Sequence, residues 1–344
     1  MSEVSAIYST ALVTGASGWL GRSLVRLLAH TAPELKIRCF VLNESEGKAL
    51  QGISQSISFA YGDVRNESDC TRFCKDARGA VLFHVAGIIH PRRVAEFYSI
   101  NVDGARNIMT AARSAGVKRM VAVSSNSPCG CNPHSDHLFD ERSPYHPYMN
   151  YGRSKMLMEK LVRESQGEIE TVIVRAPWFY GPDQPPRQTL FFKIIREGKV
   201  PIVGSGQALR SMVYIDNLAQ GLMLSAINSK AAGQIYWIAD QRPYSMNEIV
   251  DTVERLLEKE FDVKVSHRRV KLPGFVSEIA LFCDWCLQSI GLYHQKIHVL
   301  SEMNKTIACS IEKAKRELGY KPTVEIEEGM RRSIRWCFDH GIAL

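Results

Sequence analysis

The chain runs to 344 residues, 45% hydrophobic and 23% charged, with a formal net charge of +7. Those proportions fit a globular protein with a substantial core, either one large α/β domain or a large domain with a smaller one attached. The basic residues are scattered rather than banded with aromatics, which argues against a nucleic-acid partner, while a mild positive balance suits an anionic cofactor or substrate.

Strands are expected at 8–14, 36–42, 56–61, 80–85, 118–124 and 170–175, and helices at 18–30, 67–77, 94–115 and 148–166. Runs such as Met120-Val121-Ala122-Val123 are apolar on both faces, as in a parallel sheet. Alternation of strand and helix then implies a doubly wound fold, whose ligands bind beyond the carboxyl ends of the strands. The first strand is followed by Thr14-Gly15-Ala16-Ser17-Gly18-Trp19-Leu20-Gly21 and then by a helix. Strand, glycine turn and helix is the setting of a dinucleotide fingerprint, with pyrophosphate at the helix N-terminus.

Tyr151 and Lys155 stand four apart in the expected helix 148–166, so they share one face. Two charges ~4 Å apart gain roughly 4 kcal/mol at an effective dielectric of about 20. At ~1.4 kcal/mol per unit, that would bring a tyrosine from ~10 to about 7. The pair becomes a proton-transfer device only if a pocket excludes water.

After residue 180 the texture changes at Gly181-Pro182-Asp183-Gln184-Pro185-Pro186, a turn-rich breaker. Beyond it helices are expected near 188–197, 217–228, 246–258, 275–290, 311–318 and 326–340, with a strand near 211–215. The polar stretch from Asn126 to Ser143 reads as a loop bordering the substrate. Residues 1–180 are expected to form the dinucleotide-binding domain. Residues 181–344 should be mainly a substrate-binding subdomain, with segments returning to the sheet. Pro273 to Ile290 reads as an amphipathic or lid helix, with peripheral membrane contact the alternative. No apolar run reaches the ~18 residues of a membrane span, and no secretion signal stands at the N-terminus. With nine scattered cysteines, a reduced, cytoplasmic setting is expected. Cys283-x-x-Cys286 reads as packing and Cys129-x-Cys131 is too tight for zinc, so no metal is expected.

Together these motifs resemble the extended short-chain dehydrogenase/reductases, in the branch of NAD-dependent epimerases, dehydratases and 3β-hydroxysteroid dehydrogenases. The resemblance rests on Thr14 to Gly21, Gly62-Asp63-Val64, His84-Val85-Ala86-Gly87, Asn101-Val102-x-Gly104 and Val123-Ser124-Ser125. It continues through Tyr151-x-x-x-Lys155, Arg175-x-Pro177, Tyr180-Gly181-Pro182, Arg210 to Asn217, and Leu318-Gly319-Tyr320-x-Pro322. It implies a Rossmann-type doubly wound parallel sheet with a smaller C-terminal substrate-binding subdomain, and an oxidoreductase taking a small-molecule substrate.

The resemblance also implies roles. Tyr151 would be the acid/base, Lys155 would hold the ribose and lower the tyrosine pKa, and Ser125 would hydrogen-bond the substrate oxygen. Gly15, Ser17, Gly18, Trp19, Leu20 and Gly21 would surround the pyrophosphate. Asn43 would meet the ribose, and Asp63 and Val64 would flank the adenine. Ala86 and Gly87 would line the cofactor channel, and the backbone from Pro177 to Phe179 would meet the nicotinamide carboxamide. Asn126, Ser127 and Arg210 would face the substrate. Ser124, His84 and His90 read as structural. The second strand ends Phe40-Val41-Leu42-Asn43, with neither the acid of NAD enzymes nor the arginine of NADP enzymes. NAD is favoured, with NADP the alternative.

A secondary alcohol–ketone oxidoreductase is expected. A nucleotide-sugar 4-epimerase or dehydratase with tightly bound NAD is the rival, and a non-catalytic dinucleotide sensor is a third reading. Helices 94–115 and 148–166 are expected to pair with their copies in a homodimer.

Overall fold

The computed structural model describes residues 3–344. Its first half carries α1 Glu3–Ile7, β1 Thr10–Thr14, α2 Trp19–Thr31, β2 Lys36–Val41, α3 Glu44–Lys48, β3 Ile57–Tyr61 and α4 Glu67–Cys74. It continues with β4 Val81–His84, α5 Val94–Tyr98, α6 Gly104–Ser114, β5 Arg119–Ser125, α7 Met149–Glu164 and β6 Glu170–Ala176. The rest carries β7 Trp178–Tyr180, α8 Pro186–Arg196, β8 Pro201–Val203, β9 Leu209–Arg210, β10 Met212–Tyr214, α9 Ile215–Ile227 and β11 Ile235–Trp237. Then come β12 Tyr244–Ser245, α10 Met246–Lys259, β13 Val270–Leu272, α11 Phe275–Ser289, α12 Gln295–Glu302, α13 Glu312–Leu318 and α14 Ile326–Asp339.

Seven strands form one parallel sheet in the order β11-β6-β5-β4-β1-β2-β3. The apolar runs of β1, β4, β5 and β6 are buried almost throughout, as strands covered by helices on both faces must be. One apolar layer holds Leu24, Leu28, Val121, Val174 and Leu222. The opposite layer holds Leu82, Ile108, Met120, Met158 and Ile173. The strand order reverses between β1 and β4, so the loops leaving these two strands diverge and open a crevice.

Several elements differ from the sequence expectation. The helix expected at 94–115 is interrupted by a π-turn, Ser99–Asp103. The buried Asn101 within it accepts from the Ile88 N–H at 2.8 Å and donates to the Ile88 carbonyl and to Ser154 Oγ, each at 3.1 Å. A tertiary anchor of this kind holds a local register that helical periodicity does not encode. Apart from β10, the strands of two or three residues, β7 to β9 and β11 to β13, are too short to carry a pattern. Cys283 and Cys286 do not pack inward, as the spacing suggested, but are exposed.

Candidate active site

The crevice begins at the glycine turn. Gly15 has φ +64°, a left-handed conformation that favours glycine. A Cβ on Gly21 would stand 2.1 Å from the Gly15 carbonyl oxygen, so only glycine lets α2 start this close to β1. Gly18 is the extended N-cap residue of α2 and no side chain caps it, which leaves the helix N-terminus suited to a phosphate. Leu20 is buried in the core behind the turn. Trp19 packs on Phe179 with ring centroids 5.1 Å apart and donates from its indole to the Pro182 carbonyl at 2.6 Å. Its role is to tie the turn to β7 and the segment after it; Phe179 within β7 is half-buried, and Pro177 just before β7 is buried. Ala86 lies directly over Gly15, and its N–H donates to Thr14 Oγ1 at 3.2 Å. A Cβ on the exposed Gly87 would stand 3.9 Å from Lys155 Nζ. The turn, the loop after β4 and the lysine therefore share one channel.

The end of β2 supplies a residue that sequence reasoning missed. Asn43 caps α3, its Oδ1 accepting from the Glu46 N–H at 3.1 Å. Glu46 Oε2 accepts from Ser17 Oγ at 2.8 Å and from the Leu42 N–H at 3.0 Å. A carboxylate thus bridges the glycine turn and the strand end, where an acid would read a ribose hydroxyl. The available signal was the Asn-x-x-Glu spacing of a capped helix start. Asp63 accepts from Arg65 through both carboxylate oxygens, which holds its pKa below the usual carboxylate range. Val64 beside it is buried against Gly104. The glycine cradle, a bridging carboxylate, Asp63–Val64 and Lys155 fit a dinucleotide.

Lys155, Tyr151 and Ser125 meet at the deep end of the channel. The Lys155 ammonium donates to the Val123 carbonyl at 2.7 Å. The Ser125 side chain stands close enough to the Tyr151 hydroxyl to lower its pKa. Burial pushes Tyr151 up to about 12, with Ser125 and Arg187 acting the other way. Burial also lowers Lys155 to about 8, against the attraction of Glu159. The expected pull of Lys155 on the tyrosine is not among the influences on Tyr151 here. Its ammonium is committed to a backbone carbonyl, and the nearby cation that acts on Tyr151 is Arg187. The chain's own groups position a tyrosine that is a poor base by itself.

Glu159, one turn beyond Lys155, anchors this face of α7. Arg175 donates to its two carboxylate oxygens at 3.0 and 2.8 Å, and all three groups are buried. Ser124 Oγ donates to Glu159 at 2.6 Å and Tyr145 donates to it at 2.8 Å. Ser124 is thus part of the support. His84 lies 2.9 Å from Thr14 Oγ1, and burial lowers its pKa to about 3.

On the substrate side, the Asn126 carbonyl accepts from the N–H groups of Cys129 and Gly130, forming a tight turn. Ser127 is buried, its Oγ 3.4 Å from that of Ser125, and its carbonyl accepts from the Tyr148 N–H at 3.0 Å. Phe97 contacts the rings of both Tyr151 and Tyr293, at 5.6 and 5.3 Å between centroids. Tyr293 OH and His90 Nδ1 lie 2.8 Å apart. Arg210 donates to the Glu302 carbonyl. Lys305 is ion-paired with Glu278 at 2.7 Å. The loop from Asn126 to Ser143 is pinned to the segment 306–310 through Asn132 and Phe139.

Among the described residues no helix is long and apolar enough to cross a membrane, and no group of three or more His, Cys, Asp or Glu side chains is placed to hold a metal.

Comparison with known proteins places this geometry. The model of the NAD dependent epimerase/dehydratase family matches residues 11–239. A Sinorhizobium fredii protein, uncharacterized protein y4nL, is 50% identical over 99% of both chains. The 3beta-hydroxysteroid-dehydrogenase/decarboxylase isoform 1 of Arabidopsis thaliana is 28% identical over 96% of this chain and 80% of its own. The crystal structure of UDP-glucuronic acid 4-epimerase from Bacillus cereus in complex with NAD superposes with a TM-score of 0.76 at 20% identity, covering 97% of this chain and 100% of that one. The glycine turn, the Ser125–Tyr151–Lys155 cluster and the family match lead to one conclusion: the chain belongs to the NAD dependent epimerase/dehydratase family, within the extended short-chain dehydrogenase/reductases.

Proposed function

We propose that this protein is an NAD-dependent oxidoreductase that interconverts a secondary alcohol and a ketone on a largely apolar substrate. The observation that carries the reading is the approach of the buried Ser125 side chain to the half-buried Tyr151, beside a channel that reaches the glycine turn through Lys155 and Gly87. Bound NAD would supply the acceptor or donor of hydride. Ser125 and Tyr151 would hold the substrate oxygen from two sides, and Tyr151 would take or return its proton. Lys155 would hold the ribose and, through its hydrogen bond to Val123, stay fixed to the strand that carries Ser125. Phe97 and Tyr293 would exclude water from the pocket wall. Residues 1–180 would carry the dinucleotide and residues 181–344 most of the substrate.

Three features favour this over nucleotide-sugar chemistry. The pocket wall beside Tyr151 is aromatic. Two cations that could clamp a diphosphate are committed elsewhere, Arg210 to a backbone carbonyl and Lys305 to Glu278, which leaves Arg187 beside Tyr151. The Arabidopsis relative is a hydroxysteroid dehydrogenase by name. Glu46 supports NAD over NADP, since its carboxylate would repel a 2′-phosphate.

The test is nicotinamide absorbance on a panel of secondary alcohols, ketones and UDP-sugars. A net change with alcohol or ketone supports the reading. Sugar interconversion without net change replaces it with the epimerase. Tyr151→Phe should lower turnover by at least about 10²-fold while leaving NAD affinity nearly unchanged. Equal activity in the two proteins would refute the assignment.

A further inference from the structure

Half of the large apolar side chains exposed among the described residues fall within residues 275–299. They centre on α11, whose two faces are the reverse of those of an ordinary surface helix. Its inward face carries Ser277, Ala280, Asp284 and Gln288. Its outward face carries Phe275, Ile279, Phe282 and Trp285, exposed by 63%, 56%, 64% and 58%, and Ile290 just beyond it is exposed by 72%. At that exposure three aromatic side chains of about 150–250 Å² each present roughly 300–450 Å². With the aliphatic neighbours added, this reaches the upper end of the range for the largest patch of a typical monomer, about 300–600 Å².

The inward face is fixed, so the apolar face cannot be explained as a helix waiting to turn over. Asp284 Oδ2 lies 2.7 Å from His298 Nδ1 and accepts from Gln288 at 2.9 Å. Gln288 Oε1 accepts from the Asn150 side chain at 2.9 Å. Turning the helix would bury the aromatics only by stranding these polar groups.

Charge decides what covers the face. Lys271 stands before α11, Lys296 lies in the first turn of α12, and Arg92 adjoins Arg93, whose backbone bridges to Leu292. All three cations are exposed, and none has an ion-pair partner among the described residues. Of the acids of α11, Glu278 is ion-paired with Lys305, and Asp284 is buried on the inward face against His298. A second copy would bring cations against cations. An exposed apolar strip whose flanking segments carry unpaired, exposed cations matches an anionic phospholipid surface.

We propose that α11 docks this protein on the surface of an anionic bilayer, lying in the interface with Phe275, Phe282 and Trp285 among the lipid chains. No described helix can span the membrane, so the attachment is peripheral. The docked helix hydrogen-bonds Asn150, next to Tyr151, so bilayer and pocket share a wall. The inference is independent of the reaction, because lipid binding is read without turnover.

The test is co-sedimentation of the full chain with vesicles of phosphatidylcholine alone and of equal parts phosphatidylcholine and phosphatidylglycerol. The wild type should pellet with the anionic vesicles, bind the neutral ones about tenfold or more weakly, and be released by salt. The triple variant Phe275→Ser, Phe282→Ser, Trp285→Ser should stay in the supernatant at an unchanged melting temperature, because the side chains removed are exposed. Failure of the wild type to pellet with either vesicle would overturn the proposal, as would equal pelleting of the triple variant. Self-association that the triple variant abolishes, without vesicle binding, would overturn it by assigning the face to a second copy.

Discussion

Lys155 is a cation held where water does not reach, and burial lowers its pKa from 10.5 to about 8. A lowered lysine pKa means that the folded chain releases its proton first. The resulting loss of stability is fully present below about pH 8 and is relieved as pH rises towards 10.5. At ~1.4 kcal/mol per unit the penalty is roughly 3 kcal/mol, an order-of-magnitude figure. Lys155→Met removes it while giving up a hydrogen bond to Val123 of about 1 kcal/mol. Urea unfolding at neutral pH without NAD should therefore show the variant about 2 kcal/mol more stable, although its turnover is lost. A less stable variant would mean that the ammonium is well solvated. Glu46 makes a second prediction at this scale. Glu46→Arg should move the ratio of kcat/KM for NAD over NADP by about tenfold or more towards NADP, since the change replaces a repelling charge with an attracting one. An unchanged ratio would place the ribose elsewhere.

At the scale of the element, α7 works because one face is nailed to the sheet. Tyr151, Lys155 and Glu159 recur every four residues, and Glu159 closes the row by pairing with Arg175 on β6. Breaking a buried pair from one side costs about 3–5 kcal/mol. Glu159→Ala should lose that much in denaturant unfolding, whereas Glu159→Leu combined with Arg175→Met should recover most of it. Recovery of stability without recovery of kcat would show that the pair aims the helix as well as holding it. The helix and its Tyr/Lys spacing were legible in the sequence because periodicity states which residues share a face. Glu159 and Arg175 were not legible as a pair, since 16 residues and a loop separate them and only the sheet brings them together. The π-turn at Ser99–Asp103 escaped for a related reason: Asn101 is held by Ile88 and Ser154, neither of which is its neighbour in the chain.

At the scale of the molecule, Asp240 joins the sheet to the C-terminal half. It accepts from Tyr180 at 2.7 Å, from the Tyr214 N–H at 3.0 Å, and from Asn217 and Tyr244 at 3.4 Å. Asn217 in turn donates to the Val324 carbonyl, and Tyr320 donates to that of Ala239. Burial outweighs these hydrogen bonds and raises Asp240 to about 7. A carboxyl with a raised pKa stays protonated in the folded chain while the unfolded chain ionises. Its contribution is fully present below about pH 4 and is lost as pH climbs to about 7, by roughly 4 kcal/mol at most. Comparison with Asp240→Asn isolates that group. The variant's stability relative to wild type should improve from about pH 5 to about pH 8. A flat difference would mean that Asp240 is ionised throughout.

The sequence by itself determined the parallel sheet, the glycine turn and the helical pair Tyr151 and Lys155. Each of these is written in short-range features: apolar runs, a φ that favours glycine, a four-residue spacing. The tertiary structure decided the rest. It set Glu46 against Ser17, turned Lys155 towards Val123 rather than onto the tyrosine, committed Arg210 and Lys305, and turned the apolar face of α11 to the outside. Such outcomes depend on which distant group competes for each charge or apolar surface, and that competition is settled only once the chain has packed.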